Sequence, residues 1–177
     1  MRPSETRNNR EEYRTFSKTI QIGIFGYFGD FGLVNLKKLR DYLVDQGFNA
    51  KLSIDIETPD SSVISPPADA IKSSQILYRS SQILIYIITP APQDQQKKLL
   101  DSVSMEYGWA YLERRNCVGV YFQSGNEFNT LPQGAIDELR EENWRMETFN
   151  QIEDVFGIIS RFCEDKIREL YSVSDNI

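Results

Sequence analysis

The sequence predicts an α/β fold: a three-layer α/β/α sandwich around a five-stranded parallel sheet in the flavodoxin-like order 2-1-3-4-5. Three observations carry this. The run Ile83-Leu84-Ile85-Tyr86-Ile87-Ile88 is unbroken apolar chain, too short to cross a membrane and too β-branched for an easy helix. It reads as a strand buried on both faces, and such strands belong to parallel sheets covered by helices. Strand and helix patterns alternate along the chain, as crossovers between parallel strands require. The first strand also runs into a glycine-rich turn, Gly26 to Gly32, which the reversal of strand order would set beside the loop after Ile88.

Taken in order, Met1 to Ser17 is a polar leader without the apolar core of a signal peptide, and it is expected to be mobile or loosely docked. Residues 18–177 form one domain. Thr19 to Phe25 alternates Ile20, Ile22 and Ile24 and reads as the first strand. Leu33, Leu36, Leu39 and Leu43 recur at helical spacing, so Leu33 to Gln46 is an amphipathic helix ended by Gly47. Phe48 to Ile56 alternates Ala50, Leu52, Ile54 and Ile56 and predicts the second strand. Glu57 to Pro67 is a loop, and Ala68 to Ser80 a helix resting on Ala70, Ile71, Ile76 and Leu77. Gln82 to Ile88 is the third strand.

Pro90 to Lys98 is polar surface chain, and Leu99 to Arg115 predicts a helix packing through Leu99, Val103, Met105, Trp109 and Leu112. Cys117 to Phe122 is the fourth strand, followed by turn chemistry at Ser124-Gly125-Asn126. Gln133 to Glu142 predicts a short helix, and Trp144 to Phe149 an edge strand blunted by Arg145 and Glu147. Asn150 is placed to cap the last helix, with Glu153 completing a capping box. That helix runs to about Tyr171 and buries Ile152, Val155, Phe156, Ile159, Phe162, Ile167 and Leu170.

The totals exclude several classes of function. The 177 residues suit one domain with a real core. A net charge of -6 argues against a general nucleic-acid binder, which needs a basic face to displace counterions. No segment approaches a membrane span. Cys117 and Cys163 lack metal-type spacing and are expected to be reduced core thiols of a cytoplasmic protein. The chain contains no histidine, which removes Ser-His-Asp and Cys-His mechanisms, the common zinc sites and any histidine base. No metal site or resident cofactor is expected. Chemistry would fall to carboxylates, tyrosines, hydroxyls, lysines or arginines.

Two stretches are placed to carry it. At the glycine-rich turn, Gly26 and Gly29 allow close backbone approach, and the following helix offers free N–H groups to an anion. Tyr27 and Phe28 could stack on a nucleobase or simply cover the sheet end, and Asp30 could hold a sugar hydroxyl or cap the helix. The competing reading is a turn that needs positive φ. The second stretch is Asp101 to Ala110, where Ser102, Glu106 and Ala110 share a helix face. Glu106 is either a crevice carboxylate beside Thr89 or a solvated surface glutamate, and spacing favours the latter. Gly108 inside this helix suggests a backbone packed closely on something. Trp109 and Trp144 read as core or rim anchors, and Arg114-Arg115 as a pair suited to a helix C-terminus.

Ile22-Gly23-Ile24-Phe25-Gly26 with its aromatic glycine turn, the apolar third strand, Glu106-Tyr107-Gly108-Trp109-Ala110 and Cys117-Val118-Gly119-Val120-Tyr121 together resemble the nucleoside 2-deoxyribosyltransferase-like superfamily, similar in layout to TIR domains. The resemblance runs from Thr19 to Phe122 in order of elements, and the E-x-G-x-A segment matches closely. Asp101 and Ser102 precede the glutamate, but Val103 stands where those transferases carry a glycine, and the spacing is one residue short. The resemblance implies that Glu106 attacks an anomeric carbon or stabilises an oxocarbenium-like centre. It implies a nucleoside or nucleotide partner, with NAD as a candidate substrate, and the residues placed by their own positions to line its crevice are Gly26, Tyr27, Phe28, Gly29, Asp30, Thr89 and Ser102. The competing expectation is a non-catalytic sensor or interaction domain of the same fold, self-associating through its last helix.

Overall fold

The computed structural model describes residues 3–26, 32–56, 67–89, 106, 108–124, 138 and 144–174, with side chains of the first helix from residue 10 and of the third from residue 71. The strands are β1 (Gln21–Gly26), β2 (Asn49–Lys51), β3 (Ile83–Ile88), β4 (Val118–Gln123) and β5 (Arg145–Phe149). They form a five-stranded sheet in the order β2-β1-β3-β4-β5. Each neighbouring pair is parallel, with Phe25 opposite Tyr86 and Tyr86 opposite Val120. The helices are α1 (Pro3–Thr19), α2 (Gly32–Asp45), α3 (Pro67–Ser80), a segment α4 helical at 106 and 108–112, and α5 (Phe156–Ser174). The fold class and strand order are those the sequence predicts.

Side chains alternate across a strand, so β3 builds two cores at once. Ile83, Ile85 and Ile87 join Ile22 and Ile24 beneath Leu36, Leu39 and Leu43 of α2 and Ile159, Phe162, Cys163 and Ile167 of α5. Leu84, Tyr86 and Ile88 join Phe25, Val118 and Val120 beneath Leu77 and Tyr78 of α3 and Ala110 of α4. Cys117 and Cys163 are buried free thiols, as expected. No helix among the described residues is long and apolar enough to cross a membrane.

Four local expectations are corrected. The leader is helical, and Tyr13 and Phe16 pack on the core, each ring edge-on to Tyr171 of α5 at 5.4 and 5.3 Å. Two aromatic rings one helical turn apart are enough to dock a polar helix when a ready apolar surface receives them. The second strand stops at Lys51, because the Asp55 carboxylate accepts the Leu52 N–H at 2.7 Å and pairs with Arg40, curling Ser53–Asp55 into a 3-10 turn. Leu52, Ile54 and Ile56 still reach the cores from that turn, which is why their spacing mimicked a strand. The last helix is entered through a 3-10 turn, Ile152–Val155, where Asp154 accepts the Gln151 N–H at 2.9 Å, while Glu153 pairs instead with Lys38 of α2 at 2.8 Å.

The fourth correction concerns α3. Ile71 and Ile76 are 46% and 45% exposed, and the buried stripe is Ser73, Ser74, Leu77 and Tyr78. The 73-74-77-78 spacing is a helix face, but a half-polar one. At the foot of α4, Arg114 closes the helix at φ 50, with Arg115 N–H bonded to Ala110 carbonyl at 2.9 Å. Arg115 then donates to the Ser81 carbonyl and lies over the Tyr78 ring at 5.2 Å. The Trp144 indole donates to the Arg115 carbonyl at 2.6 Å, so Trp144 is a buried anchor. The predicted helix Gln133 to Glu142 lies outside the described residues apart from Glu138, which is helical and accepts a hydrogen bond from the Tyr111 hydroxyl at 2.9 Å.

The Tyr121 hydroxyl is sealed without a partner among the described residues. Tyr121→Phe is therefore expected to raise stability by about 1 kcal/mol in urea denaturation, since it deletes an unsatisfied group without changing the ring. Phe16→Ala is expected to lower stability by about 2 kcal/mol in the same measurement, whereas an undocked leader would leave it unchanged.

Candidate functional site

Parallel sheets of this kind bind ligands beyond the carboxyl ends of their strands. At that end β1 finishes in Gly26, where a Cβ would lie 2.8 Å from the Ile87 carbonyl oxygen and 3.0 Å from Leu36. A glycine is needed there for β1 and β3 to remain side by side. Thr89 follows β3 and is half-buried. Phe25 and Tyr86, opposite each other in the sheet, stack at 5.2 Å with 27° between their planes. Their rings make the floor on which α4 rests.

Glu106 lies on that floor. It is 7% exposed, which overturns the solvated reading that spacing favoured. The shared face of Glu106 and Ala110 is observed, and both are buried. Leu112, expected to pack, is 79% exposed, so α4 turns its polar residue inward and its leucine outward. Packing geometry explains the reversal. The inward face meets Tyr86, whose hydroxyl donates to the Glu106 carbonyl oxygen at 3.0 Å, and Ser74, whose Oγ donates to Glu106 Oε1. The Ser74 donor makes a carboxylate tolerable where an apolar side chain would leave that hydroxyl unpaired, while Tyr86 fixes the main chain that carries it. No described atom lies within 4 Å of a Cβ built on Gly108, so the close approach expected there is not found.

The electrostatics follow from burial. Loss of water pushes the Glu106 carboxyl up to about 7, and the Ser74 hydrogen bond pulls the other way. Burial first, and the neighbouring Glu106 second, push the Tyr86 phenol well above its ordinary range, so it stays a neutral donor. A carboxyl that titrates near neutrality can serve as nucleophile when ionised or as proton donor when not. No group of metal-ligating side chains occurs among the described residues.

Of the residues singled out from the sequence, the structure describes Glu106, Gly26 and Thr89. Tyr27, Phe28, Gly29, Asp30 and Ser102 lie outside the described residues. Sequence reasoning missed Ser74 and Tyr86. Tyr86 could have been noticed as the polar-tipped residue within an aliphatic run. Ser73-Ser74 could have been noticed as a polar interruption on the face that also carries Leu77 and Tyr78.

Burial of an acid makes stability pH-dependent. An ordinary glutamate titrates near 4.5 and Glu106 at about 7, so the unfolded chain holds fewer protons between those values. Stability is therefore full below about 4.5 and falls as pH rises to about 7, by about 3 kcal/mol at most. Glu106→Gln is expected to remove this slope, so that urea denaturation finds it level with the wild type at pH 4.5 and more stable at pH 8.

No protein-family model matches the sequence. No curated protein matches it either. Among solved structures, the chain is similar to the Clostridium botulinum CMP N-glycosidase BcmB, with a TM-score of 0.53 and 12% identity over 80% of this chain and 98% of that one. At that identity the likeness is one of fold.

Proposed function

We propose that this chain binds a nucleoside or nucleotide and cleaves or transfers its N-glycosidic bond, with Glu106 as the reacting carboxylate. The observation that carries the reading is a buried carboxyl on the helix that follows the central strand, pushed up to about 7 and held by Ser74, with Tyr86 anchoring the main chain at that residue. The fold shared with a CMP N-glycosidase and the E-x-G-x-A resemblance to the deoxyribosyltransferase-like superfamily both support it. Gly26, Tyr27, Phe28, Gly29, Asp30, Thr89 and Ser102 are the proposed ligand-lining residues. NAD remains a candidate substrate because its nicotinamide is held by the same type of bond.

The chemistry runs in two displacements. A lone pair of the ionised Glu106 carboxylate forms a bond to C1′ as the C1′–N bond breaks, and that electron pair leaves with the base, which takes a proton from solvent. Water then attacks C1′ of the ester, releasing the sugar and restoring the carboxylate, or an incoming base attacks in its place. The first displacement needs the ionised form, so competence grows as pH rises through about 7.

The test is release of free base from CMP, a panel of deoxynucleosides and NAD, followed by chromatography. Activity is expected to rise with pH through about 7 and to fall by about a hundredfold or more in Glu106→Gln. Unchanged turnover in that variant would remove Glu106 from the reaction. Thermal stabilisation by these ligands without turnover would make the domain a sensor.

A further inference from the structure

Residue 106 is held at two points by two different elements. Tyr86 of β3 donates to its backbone carbonyl at 3.0 Å, and Ser74 of α3 donates to its carboxylate through Oε1. The other carboxylate oxygen, Oε2, has no hydrogen-bond partner among the described residues. Oε1 is thus the carboxylate oxygen that has a donor among the described residues.

The Ser74 hydroxyl is used differently from those of Ser80, in the same helix, and Ser81, just after it. The hydroxyls of Ser80 and Ser81 turn back onto the helix, to the carbonyls of Ile76 and Leu77 at 2.8 and 2.7 Å. That is the ordinary habit of serine in or after a helix. The Ser74 hydroxyl instead reaches out to the next helix, from a buried position on the stripe that carries Leu77 and Tyr78. An apolar residue would pack that stripe at lower cost, so the hydroxyl is explained by the carboxylate it meets.

We infer that Ser74 is a positioning residue for Glu106: by holding Oε1 it makes Oε2 the oxygen that meets the anomeric carbon. This rests on the proposed glycosidic chemistry. The terminal torsion of a glutamate is broad and nearly two-fold, so a free carboxylate would exchange its oxygens. The Ser74 donor breaks that symmetry. When Oε2 bonds to C1′ and the C1′–N pair leaves with the base, Oε1 becomes the ester carbonyl, and the same donor stays on it. When water displaces the ester, the electron pair returning to the carboxylate is met by a hydrogen bond already in place. The described titratable group facing Glu106 from the sheet is Tyr86, itself under the influence of Tyr78 and Arg115.

The experiment compares wild type, Ser74→Ala and Ser74→Thr as full chains, after melting curves establish that each is folded. Glu106 is titrated in the ligand-free protein by carbon NMR of labelled glutamate carboxyls, assigned with Glu106→Gln. Base release from CMP is followed across the same pH range. Ser74→Ala is expected to raise the Glu106 midpoint by about one unit and lower kcat about tenfold, with KM within about twofold. Ser74→Thr is expected to restore both. If Ser74→Ala does not fold, Ser74→Cys, a weaker donor of similar size, takes its place. An unchanged midpoint overturns the inference, and so does an unchanged kcat. If the wild type releases no base from CMP, deoxynucleosides or NAD, the glycosidic reading falls and the reacting role of Oε2 with it. The titration then still shows whether Ser74 holds the carboxylate, so the two failures are told apart.

Discussion

The double burial of β3 is the constraint from which the rest follows. A strand covered on both faces must supply two cores, and Ile83–Ile88 does so by sending alternate residues to α2 and α5 on one side and to α3 and α4 on the other. The aliphatic side needs little else. The second side contains one residue with a polar tip, Tyr86, and a buried phenol must find an acceptor. It finds the main chain of α4 at Glu106. The placement of the candidate carboxylate is thus tied to the packing of the central strand.

A cost accompanies this arrangement. The carboxyl is buried, its ionisation is opposed by the loss of water, and a single hydroxyl from α3 offsets part of that loss. An apolar residue at 106 would pack a conventional helix–sheet contact without that loss. Stability given up at one position while the surrounding core is well filled is the pattern expected of a site shaped for chemistry. The polar clasp at the opposite end of the sheet behaves differently. There Arg115 donates to the Ser81 carbonyl and lies over the Tyr78 ring, and Trp144 donates to the Arg115 carbonyl, which ties α4 to the sheet, so their role is architectural.

The strands and their order were legible because burial on both faces leaves an unmistakable apolar run, and because strand–helix alternation admits few topologies. The stripe of α5 was legible for the same reason, through Ile152, Val155, Ile159, Phe162 and Ile167. The second strand was overread, since a 3-10 turn that feeds Leu52, Ile54 and Ile56 to the cores has the same apolar spacing as a strand. The helical leader was underread, since Tyr13 and Phe16 dock on a surface supplied by α5, more than a hundred residues away in the chain.

The sequence by itself therefore determined the fold class, the parallel sheet and the choice of Glu106 as the acid to watch. Tertiary structure alone decided that Glu106 is buried, that Ser74 and Tyr86 are its partners, and that α3 presents serines to the core while Ile71 and Ile76 face out. The physical reason is that periodicity reports how residues are arranged around one element. It does not report which face meets the rest of the molecule when that face is polar, because a carboxylate next to a serine looks the same in sequence whether water or a neighbouring helix supplies its hydrogen bond.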